Sequence, residues 1–193
     1  LERHVGGQLS GKFTGWIRDA LPDWQGALGR DEASGEVLLR SVFRLLAAKI
    51  LQDKEVPGFK RLDRSDVAGM LQKVARHCGG APDTGLTRPA AKMLDAVAQQ
   101  VFGLATLRHM STESLGVIYE NAFISKATRK KLGTHSTPPW LADYMLWQVE
   151  TRFKNDLSAE HRIVYEPACG HGAFLVAALR MLKQFSFEEG RSP

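Results

Sequence analysis

Cysteine is scarce in this sequence: two in 193 residues, Cys78 and Cys169, far apart and in no CxxC pair. That usage excludes a cysteine zinc site and a disulfide framework, and it fits a reducing, cytoplasmic setting. No metal site is expected elsewhere either. Long apolar runs are missing, so no segment reads as a membrane span. The opening LERHVGGQLSGKF has no signal-peptide core. The expected localisation is therefore cytoplasmic, with no membrane partner. Low-complexity tracts and internal repeats are absent. So are the GxGxxG fingerprint of the usual dinucleotide fold and any nuclease pattern of spaced carboxylates with lysine. Acidic residues are in a slight minority, 21 against 26 Lys and Arg, for a net charge of +5. Such a balance suits a nucleic-acid partner, but many soluble domains carry as much.

What is present is an ordinary folded-protein composition, 44% apolar and 24% charged. Residues 1–35, rich in glycine and polar side chains, read as loops and short helices anchored by Trp16 and Trp24. GEVLLRSVFRLLAAKILQDKE has a broad apolar face (Val37, Leu38, Val42, Leu45, Leu46, Ala48, Ile50, Leu51), the mark of a central helix in a bundle. A second helix runs through DRSDVAGMLQKVARHCGG, capped by Asp63 or Ser65 and stopped by Gly79 and Gly80. A third begins near Thr87-Arg88-Pro89 and continues to about Leu107. A fourth starts at Ser111 or Thr112 and carries Leu115, Ile118, Tyr119 and Phe123. The basic helix SKATRKK follows and ends at Gly133.

From Thr137 the character changes. Thr137-Pro138-Pro139 reads as an N-cap with prolines in the first turn, opening the helix WLADYMLWQVETRF. After a polar stretch, RIVYE reads as a buried strand. PACGHG and the apolar helix AFLVAALRML come next. Strand, glycine-rich turn and helix form the opening unit of a doubly wound α/β domain. The expected fold class is thus mostly α: a helical N-terminal domain over 1–132, then the first βα unit of a Rossmann-like domain over 133–193. With one strand visible where such a sheet needs about five to seven, that second domain is expected to be truncated.

The string Glu166-Pro167-Ala168-Cys169-Gly170-His171-Gly172-Ala173-Phe174 carries the chemistry. Glycines let backbone approach a ligand, and helix N-terminal N–H groups favour an anion. An acid at the strand end accepts bonds from an ammonium group. Such a turn suits an amino-acid moiety bearing both charges, although a bare strand-to-helix turn with no ligand explains a lone GxG equally well. The full string, EPACGHGAFL, resembles motif I of the amino-methylating DNA methyltransferases, [DE]PACGxGxFL. Upstream, Gly133-Thr134-His135-Ser136-Thr137-Pro138-Pro139 and the helix to Met145 look like motif X of the same family, GxxYTPxxLAxxM. Ser136 stands there in place of the usual aromatic. Leu115-Gly116-Val117-Ile118-Tyr119-Glu120 is similar to the LGxIYE helix ahead of motif X in type I modification subunits and related type II enzymes, and reads mainly as a core helix.

The resemblance covers roughly residues 36–185, and most closely 115–180. It implies transfer of a methyl group from S-adenosyl-L-methionine to adenine N6 in double-stranded DNA, the base flipped out. The setting would be a restriction-modification or related defence system, with specificity or restriction subunits as further partners. The cofactor-binding residues it implies are Thr134, His135, Ser136, Thr137, Pro138, Glu166, Ala168, Cys169, Gly170, His171, Gly172 and Phe174. Lys126, Arg129 and Lys130 are candidates for DNA phosphates, though a solvated helix face accounts for them as well.

No catalytic residue is identified. Thr137-Pro138-Pro139-Trp140 looks like the [DNS]PP[YFW] catalytic motif, but it opens a helix and does not follow a strand. No other such motif occurs, so the chain by itself is expected to be inactive. His77 and His109 have no partner at metal spacing, and Cys169 reads as a small packing residue. Two rivals stand beside this reading. One is a non-catalytic helical module that binds DNA or partner subunits and carries a vestigial motif. The other is a methyltransferase acting on glutamine of protein or RNA, against which the LGxIYE helix counts.

Overall fold

The computed structural model describes residues 2–28, 32–80, 88–111, 114–116, 118–119, 137–170 and 172–191. Every regular element among them is helical, and no strand occurs among the described residues. The chain divides into two compact units, Gly11–Met110 and Leu1–Ser10 with Ser111–Pro193. The boundary expected between 132 and 133 lies outside the described residues. So do Phe123, the SKATRKK segment and the motif residues 133–136.

Residues 1–35 depart most from expectation. They are not loops and short helices: α1 runs unbroken over Glu2–Leu28 with Pro22 inside it. Five glycines of α1 and that proline lower intrinsic helix propensity. Yet Leu9, Phe13, Trp16 and Trp24 recur at helical spacing and are all buried, and burial of large aromatics outweighs propensity. The Phe13 ring lies 4.4 Å from that of Phe43, fastening α1 to α2, Glu32–Asp53.

α2 is the central helix of the Gly11–Met110 unit. Leu38, Val42, Leu45 and Leu46 are fully buried, and α2 packs against α3 (Val67–His77) and α5 (Asp95–Phe102). At its end Lys49 and Asp53 form a buried ion pair at 2.7 Å. The other carboxylate oxygen of Asp53 accepts the Leu107 N–H at 2.7 Å. Residues 104–107, expected as helix, are therefore held outside one by a bond made 54 positions away in sequence. The same stretch is also interrupted earlier. A short α4, Arg88–Met93, gives way at Leu94 to α5.

α3 starts two residues past Ser65. Asp66, not Asp63 or Ser65, is the N-cap, accepting the Gly69 N–H at 2.9 Å. Asp63 instead bonds Ser65 through both N–H and hydroxyl, which holds its carboxyl below the usual range. The far end closes as expected. Gly79, at φ +70°, lets the Gly80 N–H reach the Ala75 carbonyl at 2.9 Å.

In the second unit residues 114–116 and 118–119 are helical, with Ile118 buried. α6, Pro139–Asn155, and α7, Ala173–Glu188, pack together. Between them lie a 3₁₀ turn, Ala159–His161, and an irregular run over 162–166. That run, expected as a buried strand, forms no ladder with a described residue, and its Ile163 and Tyr165 are 76% and 85% exposed. A strand is defined by its ladder, and strand composition alone does not make one.

The glycines of α1 offer a direct check on that helix. A Cβ at Gly15 would meet nothing within 4 Å. Gly15→Ala should therefore stabilise the protein by about 1 kcal/mol, read as a rise in Tm, because alanine outranks glycine in a helix interior. A fall in Tm would return residues 11–20 to loop.

Candidate functional site

The turn into α7 takes its shape from two glycines. Gly170 and Gly172 lie at φ +52° and +87°, a left-handed region that side chains rarely adopt. Gly172 is the N-cap of α7. It donates its N–H to the Cys169 carbonyl at 2.7 Å, while its own carbonyl accepts the Val176 N–H at 2.9 Å. One oxygen of Glu166 accepts the Ala168 N–H at 3.0 Å, closing the turn through Pro167. A Cβ on either glycine would meet nothing within 4 Å. The glycines are thus required by backbone conformation and not by close packing, and space lies open beside the turn. Ala168, Cys169 and Gly170 are exposed, and Glu166, Gly172 and Phe174 half-buried. The Cys169 sulfur lies 3.8 Å from the Gly170 carbonyl, a weak local contact.

The start of α6 corrects one expectation. Pro138, not Thr137, occupies the N-cap, in extended conformation (φ −59°, ψ 141°), with Pro139 at N1 and no side-chain cap. Proline needs no N–H partner there, and the Pro138 carbonyl accepts the Leu141 and Ala142 N–H groups at 3.0 and 3.2 Å. Thr137 and Pro138 are half-buried. Trp140, in the first turn, is 66% exposed on a helix.

Ion pairs bring the two helix starts together. Asp143 pairs with Arg180 at 3.6 Å, and Lys154 pairs with Glu188. From Asp143 to Lys154 α6 advances ~16 Å, and from Arg180 to Glu188 α7 advances ~12 Å in the same sense. The helices therefore run parallel, and the Thr137-Pro138 turn and the Gly170–Gly172 turn lie at one end of the pair. Lys154, and then Gln184, hold the Glu188 carboxyl below its ordinary value.

Arg162 makes this arrangement possible, and the motifs gave no hint of it. Its guanidinium is 7% exposed and meets Glu189 at 2.8 Å. It also donates to the Lys154 and Leu157 carbonyls at 3.0 and 3.2 Å and lies 5.3 Å from the Phe185 ring centroid. The end of α6, the end of α7 and the start of the irregular run meet on one side chain. In sequence Arg162 is only the first residue of RIVYE.

Thr134, His135, Ser136 and His171, and the basic residues Lys126, Arg129 and Lys130, lie outside the described residues. His77 packs edge-on against Phe59, their ring centroids 4.9 Å apart. No group of three or more His, Cys, Asp or Glu that could hold a metal occurs among the described residues. No protein-family model matches the chain, nor does any curated protein or solved structure.

Two substitutions test the geometry. Gly172→Ala should cost about 1–2 kcal/mol through its left-handed φ alone, since the added methyl has room. A neutral result in thermal unfolding would mean the turn relaxes. Arg162→Met keeps the bulk but leaves the Lys154 and Leu157 carbonyls without their donor, while Glu189 keeps Arg191 as a partner, and should cost roughly 1–2 kcal/mol. A loss below about 0.5 kcal/mol, the range of an ordinary surface change, would show that Arg162 does not lock the helix pair.

Proposed function

We infer that this chain is the cofactor-binding front part of an S-adenosyl-L-methionine-dependent DNA methyltransferase acting on adenine N6. The proposed setting is a cytoplasmic restriction-modification or related defence system, with double-stranded DNA and specificity or restriction subunits as partners. One observation carries the reading: a proline-opened helix and a glycine turn, each resembling a methyltransferase motif, start at the same end of two parallel helices.

The residues fit the methionine end of that cofactor. Gly170 and Gly172 leave open space at the turn. The first N–H groups of α7 have no partner inside the helix and favour a carboxylate. Glu166 spends one acceptor on the Ala168 N–H, and its remaining oxygen is available to an ammonium group. When bound, the cofactor supplies an electrophilic methyl group. The described residues of this chain position and orient; none is assigned to methyl transfer. The exposed Ile163 and Tyr165 belong, on this reading, to the first strand of a doubly wound sheet and take their cover from further strands.

The unpaired state of that same run favours a second reading. A helical module that binds DNA or subunits and keeps a vestigial turn needs no sheet.

Amide NMR shifts on adding S-adenosyl-L-methionine separate the two. Weak, saturable shifts at Gly170, Gly172 and Ala173, lost in Gly170→Val while distant amides stay put, are the expected outcome. No shift at these amides overturns the cofactor site. Shifts confined to other residues mean the pocket has been misplaced.

A further inference from the structure

The loop into α3 gathers positive charge on one side of the Gly11–Met110 unit. Lys73, Arg76 and His77 stand at i, i+3 and i+4 on α3, so they share a face. Arg76 and His77 are exposed and Lys73 half-buried. Phe59, itself buried, packs against His77. The Lys73 ammonium lies 5.3 Å from the centroid of the Phe59 ring and donates to the Gly58 carbonyl. The loop is thus seated on the C-terminal half of α3, with the next two residues, Lys60 and Arg61, exposed beside it.

Nearby carboxylates are engaged elsewhere. Asp53 serves Lys49 and the Leu107 N–H, Glu55 meets Arg108 at 3.4 Å, and Asp63 bonds Ser65. Asp66 caps the opposite end of α3, ~15 Å along the axis from Arg76. Lys60, Arg61, Lys73 and Arg76 make no ion pair with a described residue. Four cations with no ion-pair partner among the described residues outnumber the nearby Asp63 charge and attract a polyanion, and a duplex offers one charge per ~1.7 Å of its axis. Phe59, the aromatic at the centre of the ridge, is buried. The exposed ring on the ridge, His77, lies against Phe59, and no exposed Phe, Tyr or Trp stands there to stack unpaired bases, which favours duplex over single strand.

We propose that Lys60, Arg61, Lys73 and Arg76 form a docking surface for the phosphate backbone of double-stranded DNA. It is carried by the Gly11–Met110 unit and is made of residues other than Lys126, Arg129 and Lys130. The surface agrees with the methyltransferase reading without resting on it, because its test measures no cofactor.

The test is fluorescence anisotropy of a random-sequence duplex with the 193-residue protein over a series of salt concentrations. The triple variant Lys60→Gln, Arg61→Gln, Arg76→Gln alters only exposed side chains. It should flatten the slope of log affinity against log salt by roughly 2–3, at about 0.9 per lost phosphate contact. The single reversal Arg61→Glu, which leaves α3 untouched, should weaken binding in the same direction. An unchanged slope in both overturns the proposal. Equal flattening by the control Lys12→Gln, Arg152→Gln, Lys183→Gln overturns it too, because binding would then follow net charge. Better competition by a single strand of equal length overturns the duplex assignment.

Discussion

The guanidinium of Arg162 governs the unit that contains the glycine turn. It satisfies two carbonyls at the end of α6, pairs with Glu189 beyond α7 and covers the Phe185 ring. Arginine suits this work because its planar fork presents several donors in fixed directions, whereas lysine offers a single point charge. With the two helix ends tied there, the chain between them must run back the length of the pair. It does so through the irregular run 162–166 and arrives at the end where α6 began. The meeting of the Thr137-Pro138 turn with the Gly170–Gly172 turn is thus a consequence of a lock made at the opposite end.

The Gly11–Met110 unit rests on a different economy. Its core is aromatic and aliphatic, with α2 at the centre, and the Lys49–Asp53 ion pair is also hydrogen-bonded to backbone. Asp53 answers Lys49 with one oxygen and the Leu107 N–H with the other, so neither charge is stranded on burial. That network bears on the proposed docking surface indirectly. By occupying Asp53, and with Glu55 drawn to Arg108, it leaves the cations of the neighbouring loop without counter-charge. A packing solution in the interior thereby sets the sign of the surface above it.

Legibility in the sequence followed the range of the forces involved. α2, α3, α6 and α7 were readable because apolar period, prolines at a helix start and glycines at a helix end act within a turn or two. The glycine turn of the candidate site was readable for the same reason: a left-handed residue announces itself locally. α1 is not legible in the sequence because five glycines and Pro22 argue against helix, while the opposing argument, burial of Phe13, Trp16 and Trp24, exists only in the packed unit. RIVYE has strand composition but no ladder, since a strand requires a neighbour that composition cannot supply.

The sequence by itself therefore determined which segments are helical by pattern and where the backbone must turn left-handed. It also placed the acid, the glycines and the prolines that make the candidate site chemically suited to a zwitterion. Tertiary structure decided the rest. The parallel sense of α6 and α7, the capture of Leu107 by Asp53, the exposure of Ile163 and Tyr165, and the ridge around Phe59 all depend on contacts between residues remote in sequence. Such contacts depend on distance and direction in space, and no residue pattern along the chain encodes either until the helices have packed.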